Sequence, residues 1–138
     1  MYRGMLLGTW SRNQPTVTLS TAEAELTALT TAAQEGNFVV HVRDELNEEK
    51  EPVGLRVYTD SNAARAVVFR RGVGRMKHLA AKQRWVQEQL RSGRLALERV
   101  ASVENIADLL TKAFTRARHE ALCRAVGLKP WIDEELIE

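Results

Sequence analysis

Three carboxylates stand out by where they fall in the chain. Glu25 belongs to the segment STAEAEL (Ser20 to Leu26), Asp60 to VYTDSN (Val57 to Asn62) and Asp108 to ENIADLLTK (Glu104 to Lys112). The surrounding patterns put each acid at the start of a helix or the end of a strand, where a fold can gather residues that are distant in sequence. Three acids gathered at one point repel one another unless a divalent cation lies between them, and such an arrangement suits hydrolysis of a phosphodiester. A nuclease of this kind usually needs a fourth acid, and none is evident here.

Taken singly, each acid also has an ordinary structural role. Glu25 in the early turns of a helix interacts favourably with the helix dipole. Asp60 between a strand and a helix is a natural N-cap, although strand ends in α/β sheets are also where ligands collect. Asp108 lies three residues after Asn105, where first-turn capping is again the simple explanation. The functional case comes from the three together.

The elements that position them follow from periodicity and capping. Met5 to Trp10 reads as a short strand and Pro15 to Leu19 as an extended lead-in. Ser20 and Glu23 form an S-x-x-E capping box that starts a helix near Thr21. Leu26, Leu29, Ala33, Val40 and Phe38 continue it at helical spacing to about Leu46, with a weak point at Gly36–Asn37 where a kink is expected. Leu55, Val57 and Tyr58 make a strand, and Asp60-Ser61-Asn62 caps a helix from Ala63 to Arg70. A helix from His78 to Leu90 places Leu79, Trp85, Val86 and Leu90 in the core and ends at Ser92-Gly93. Leu95, Leu97 and Val100 form a further strand. Asn105 caps a helix holding Ile106, Leu109 and Leu110, and Ala117 to Val126 forms the last helix, ended by Gly127. The order strand, helix, strand, helix, helix, strand, helix is an α/β pattern that requires parallel pairing through helical crossovers. Three strands make a thin sheet for it.

Composition sets limits on function. The chain has 138 residues, 44% apolar and 28% charged, the size and balance of one ordinary globular domain. No apolar run is long enough to cross a bilayer, and the N-terminus lacks a secretory pattern. The single cysteine, Cys123, excludes an internal disulfide, fits an intracellular protein and lies in an apolar stretch that suggests a buried thiol. The formal net charge is only +2, yet from Arg56 to Arg94 every charged residue except Asp60 and Glu88 is Lys or Arg. A basic middle of this kind favours a phosphate backbone as partner, through Arg71, Arg75, Lys77, His78, Lys82 and Arg84. A solvated helix face is the alternative. The last ten residues are acidic.

The segments TWSRNQPTVTLSTAEAEL, YTDSNAA, a basic RMKHL before a helix, and ENIADLLTK occur in that order. As a set they resemble the ribonuclease H domain at the end of copia-type retrotransposon Pol polyproteins, over about Gly8 to Leu128. The resemblance implies a ribonuclease H-like fold, a mixed sheet flanked by helices. The implied activity is cleavage of the RNA strand of an RNA–DNA hybrid with two Mg²⁺ ions, or Mn²⁺ in their place. By motif, Glu25, Asp60 and Asp108 are the metal-holding and catalytic acids, and the reverse transcriptase portion of the same polyprotein is the implied partner.

That family also carries a first aspartate on a central strand upstream of TWSRNQ. Its absence here implies a domain over residues 1–128 that lacks the first two strands, keeping about three strands and four helices, followed by an acidic tail over 129–138. The expected consequences are exposed strand edges, marginal stability, weak metal binding and poor cleavage. A catalytically inactive nucleic-acid-binding fragment, or a retroelement remnant without function, is the alternative.

Overall fold

A computed structural model describes residues 1, 6–9, 11, 14, 18, 20–46, 54–70 and 79–128 of the chain. The tail 129–138, Trp10, and the expected basic contacts Arg71, Arg75, Lys77 and His78 lie outside the described residues. The chain divides into two compact units: Gln14–Val103, and Met1–Asn13 with Glu104–Glu138.

The larger unit is α/β. It contains helix α1 (Thr21–Leu46), strand β1 (Leu55–Thr59), helices α2 (Asn62–Phe69) and α3 (Ala80–Arg91) and strand β2 (Leu95–Arg99). The strands pair in parallel, Leu55 opposite Leu95 through Thr59 opposite Arg99, as strands joined by a helical crossover must. Each strand alternates: Val57, Leu95 and Leu97 turn into a core shared with Leu26, Leu29 and Ala33 of α1, Val67 and Val68 of α2, and Leu79 and Val86 at α3. Trp85 and Leu90 pack partly buried against that core, as expected. On the other face, Arg56 and Tyr58 are exposed, and Arg56 reaches Glu98 at 3.7 Å.

Local chemistry explains the element ends. Ser20 Oγ accepts from the Glu23 backbone N–H at 3.2 Å, starting α1 where the capping box predicts. The carbonyls at the end of α2 are satisfied from α3: Gln83 Nε2 donates to Val67 O at 2.8 Å, and Gln87 Nε2 donates to Val68 O at 2.8 Å and to Arg70 O at 3.0 Å. These carbonyls have no partner within their own helix, so a neighbouring helix docks by completing them. Gly93, at φ 71°, makes the turn from α3 into β2.

The smaller unit holds a 3₁₀ helix (Ile106–Leu110) and helix α4 (Arg116–Ala125). Helix α4 ends in a left-handed glycine cap. Gly127 has φ 80°, its N–H donates to Arg124 O at 3.0 Å, and the Leu128 N–H donates to Cys123 O at 2.9 Å.

Four expectations differ from the structure. Helix α1 runs unbroken through Gly36 and Asn37, because Gly36 is where the Leu55 side chain packs against the helix; a Cβ there would lie 2.6 Å from Leu55 Cδ1. Phe38 is 64% exposed and not part of the core stripe. The described part of the expected first strand, Leu6 to Thr9, is irregular; among the described residues, ladder partners exist only between β1 and β2. The segment after Asn105 is a 3₁₀ rather than an α-helix, since five residues are too few to repay α-helix nucleation. Two strands are therefore formed among the described residues. The α/β class with four α-helices stands, and it is consistent with part of a ribonuclease H-like fold.

Candidate functional site

The three carboxylates differ in surroundings. Asp60 directly follows β1, but it does not cap the next helix. Ser61 does so, its Oγ accepting from the Ala64 N–H at 3.1 Å, while Thr59 Oγ1 accepts from the Ser61 N–H at 3.1 Å. Glu25, in the second turn of α1, is likewise spared, because Ser20 holds the helix start. Both acids are half-buried. Among the described residues neither side chain has a hydrogen bond or ion pair.

The packing of the larger unit sets where these two acids lie. Lys82 Nζ, in the first turn of α3, donates to Thr27 Oγ1 near the start of α1 at 3.2 Å. Asn37 Nδ2, further along α1, donates to Gln89 Oε1 near the end of α3 at 3.4 Å. The two helices therefore run in the same direction. Helix α3 turns back tightly through Ser92-Gly93-Arg94 into β2, so both helices run against the strands. Gly36 beside Leu55 places the middle of α1 at the beginning of β1. From there, the helix rise back to Glu25 and the strand rise on to Asp60 each cover about 16 Å. Glu25 and Asp60 thus lie toward the same end of the unit, beyond the carboxyl end of β1, where open α/β sheets place ligands. Lys82, half-buried, lies at this end as well, and Arg84, two residues further along α3 and so on the other side of that helix, is exposed. A shallow depression lined by Gly54, Leu55, Arg56, Gly93 and Ala96 is at the opposite end of the strands, away from both acids.

Asp108 belongs to the smaller unit. It too is relieved of capping, because Asn105 Oδ1 accepts from the Ala107 N–H at 3.2 Å. Asp108 is only 8% exposed, and its Oδ2 accepts from Lys112 Nζ at 2.7 Å. The sequence marked Lys112 as part of the motif without suggesting a role for it; the i, i+4 spacing was the available signal. Among the described residues, no group of three or more His, Cys, Asp or Glu side chains is assembled that could hold a metal ion. Cys123 is half-buried rather than buried, with Sγ 3.7 Å from His119 Nδ1 one turn earlier on α4. Among the described residues, no helix is long and apolar enough to cross a membrane.

No family model matches the chain, and no solved structure matches it. Three curated proteins show similarity. The Retrovirus-related Pol polyprotein from transposon TNT 1-94 of Nicotiana tabacum is 31% identical over 132 residues, covering 92% of this chain and 10% of its own length. The corresponding polyproteins from transposons RE2 and RE1 of Arabidopsis thaliana are each 28% identical, over 122 and 124 residues, covering 86% of this chain and 8% of their own length. The chain therefore spans a tenth or less of the relatives it matches. Its homologues are retrovirus-related Pol polyproteins of plant transposons, aligned with it over most of its length.

Proposed function

We propose that the chain is the ribonuclease H portion of a copia-type retrotransposon Pol polyprotein, a metal-dependent endonuclease acting on the RNA strand of an RNA–DNA hybrid. The observation that carries this is the pair Glu25 and Asp60. Both are carboxylates without a structural duty, both lie toward the carboxyl end of a parallel strand, and both sit within motifs that resemble that family. Two carboxylates are the kind of oxygen ligand that Mg²⁺ takes while keeping part of its water shell, although no group of three or more such ligands is assembled among the described residues. Within the larger unit, Glu25 and Asp60 are the acids that would hold the metal, and when bound it would supply an activated water and charge stabilisation at the leaving oxygen; Asp108, in the smaller unit, is the third acid that the family's motifs mark.

This chain's own contribution is orientation and charge. Ser61 and Thr59 fix the backbone on either side of Asp60, so that its carboxylate does not have to serve as cap and ligand at once. Lys82 and Arg84 supply positive charge for a phosphate backbone beside the acids. Arg71, Arg75, Lys77 and His78, which lie outside the described residues, are the further basic residues that the sequence offers for nucleic-acid contact, with the reverse transcriptase portion of a longer polyprotein as the natural partner.

The test is cleavage of an end-labelled RNA–DNA hybrid by the full chain with Mg²⁺ or Mn²⁺. Slow metal-dependent cutting of the RNA strand is expected. Asp60→Asn and Glu25→Gln should each lower it by at least about 100-fold, since even outer-shell changes around a metal cost 10–100-fold. Salt-sensitive hybrid binding with no metal-dependent cutting overturns the nuclease assignment and leaves a nucleic-acid-binding module.

A further inference from the structure

Helix α1 is apolar on two faces, and only one of them is buried. Leu26, Leu29 and Ala33 face the core. About 130° round the helix from them, positions 28, 32, 35, 39, 42 and 46 recur at alternating four- and three-residue steps, the spacing of a coiled-coil seam. They are Ala28, Ala32, Glu35, Val39, Val42 and Leu46, and all are exposed except Glu35, which is half-buried. Val39 is 37% exposed, Val42 39% and Leu46 81%, and Phe38 beside them is 64% exposed. A contiguous apolar stripe left in water marks an interaction surface.

We propose that two copies of the chain pair through this stripe, α1 against α1 in antiparallel orientation. Size along the seam favours that orientation. The early positions are alanine, whereas the late ones are valine and leucine. A two-fold axis near Asn37 sets Ala28 opposite Leu46 of the second copy, Ala32 opposite Val42 and Glu35 opposite Val39, each contact made twice. Large side chains then meet small ones away from the axis, and Phe38 meets its own copy beside it. Charge is complementary in the same arrangement. Asp44 and Glu45 are exposed at the C-terminal end of α1, while Lys82 is bonded to Thr27 near the helix start. Glu45 lies on the same flank as Thr27, about five turns further along. Turning the second copy end for end brings Glu45 beside that copy's Lys82, so opposite charges meet at both ends of the seam.

Sedimentation equilibrium of the full chain over a concentration series, with Cys123 kept reduced, tests this. A concentration-dependent dimer is expected. Val42→Asp and Ala32→Lys should each weaken it by at least about tenfold, because each sets a charge against an apolar neighbour. The double variant Ala32→Lys/Val42→Asp places the two new charges opposite each other across the axis and should recover most of the loss. Glu45→Lys should weaken pairing about two- to fivefold, the size of an exposed ion pair. Glu35→Leu, which removes the charge from the seam, should strengthen it. Far-UV circular dichroism of dilute, monomeric samples should be the same for all variants, which separates lost pairing from lost folding. A chain that stays monomeric at every concentration overturns the proposal and leaves the stripe to a different protein. A dimer indifferent to Val42→Asp overturns the use of α1, and a double variant no better than its single parents overturns the antiparallel register.

Discussion

Asp60, Ser61 and Asn62 are three consecutive residues that could each cap a helix, and their composition alone does not say which one does. The structure gives the task to Ser61, whose Oγ accepts from Ala64 N–H, and the consequence is testable. Ser61→Ala should lower stability by about 0.5–2 kcal/mol, the usual loss on removing a cap. Asp60→Asn should leave the thermal midpoint unchanged while removing hybrid cleavage. A large loss of stability in Asp60→Asn would return that residue to a structural role. A second prediction concerns Glu120. The Arg116 guanidinium donates from Nε to Glu120 Oε1 at 2.8 Å, and this bond, more than any other influence, holds the Glu120 carboxyl below its ordinary value of 4.5. A carboxyl whose pKa is lower when folded stabilises the fold above its unfolded pKa, and that contribution disappears as pH falls through the folded value. Helix α4 should therefore keep this support at neutral pH and lose it in acid, below the ordinary glutamate range. The Arg116 side chain is almost fully exposed and that of Glu120 is 45% exposed, so the effect should be small and should fade with salt. Backbone NMR shifts along α4 should follow this acid titration in the unchanged chain and lose it in Glu120→Gln.

Elements were legible in the sequence where a local signal was strong, and mistaken where a distant contact decided the outcome. The bounds of α1 follow from Ser20 and the apolar spacing, and β2 from the alternation of Leu95 and Leu97. Both appear where the pattern puts them. Gly36 misled because a glycine inside a helix usually signals weakness. Here its missing side chain is the site where Leu55 packs, a contact that only the fold reveals. The prediction at this scale follows directly. Gly36→Ala gains helix propensity of about 1 kcal/mol, but its Cβ must push the end of the Leu55 side chain aside. Gly36→Val adds bulk where there is none to spare and should cost about 1–3 kcal/mol, the usual penalty for overpacking. Chemical denaturation should show this loss, and shortening the neighbour in a Gly36→Val/Leu55→Ala double variant should recover part of it. Full additivity of the two changes would mean that the two positions do not touch.

At the scale of the whole molecule, the alternation of helices and strands announces an α/β chain, and parallel pairing follows from it. Which acids end up beside which bases does not follow. That arrangement depends on α1 and α3 running the same way, which is fixed by Thr27 with Lys82 and Asn37 with Gln89, pairs separated by 55 and 52 residues. No local pattern encodes contacts at such distances. Charge placement is the property of the whole chain that the sequence states most directly: a net charge of only +2, with the positive charge concentrated between Arg56 and Arg94. If this segment holds a nucleic acid, affinity must come mainly from release of counterions, and binding must weaken steeply as salt rises. Lys82 and Arg84 separate two contributions to that slope. Lys82 is half-buried and bonded to Thr27, so Lys82→Ala should both weaken binding and loosen the packing of α3 on α1. Arg84 is exposed on α3, with no packing role to lose. Arg84→Ala should weaken hybrid binding about equally for all sequences, lower the magnitude of the salt slope by about 1, and leave the melting temperature unchanged. Fluorescence anisotropy with a labelled hybrid over a salt series measures both quantities. An unaltered slope in Arg84→Ala would move the nucleic acid away from α3, and with it away from the end of the sheet where Glu25 and Asp60 lie.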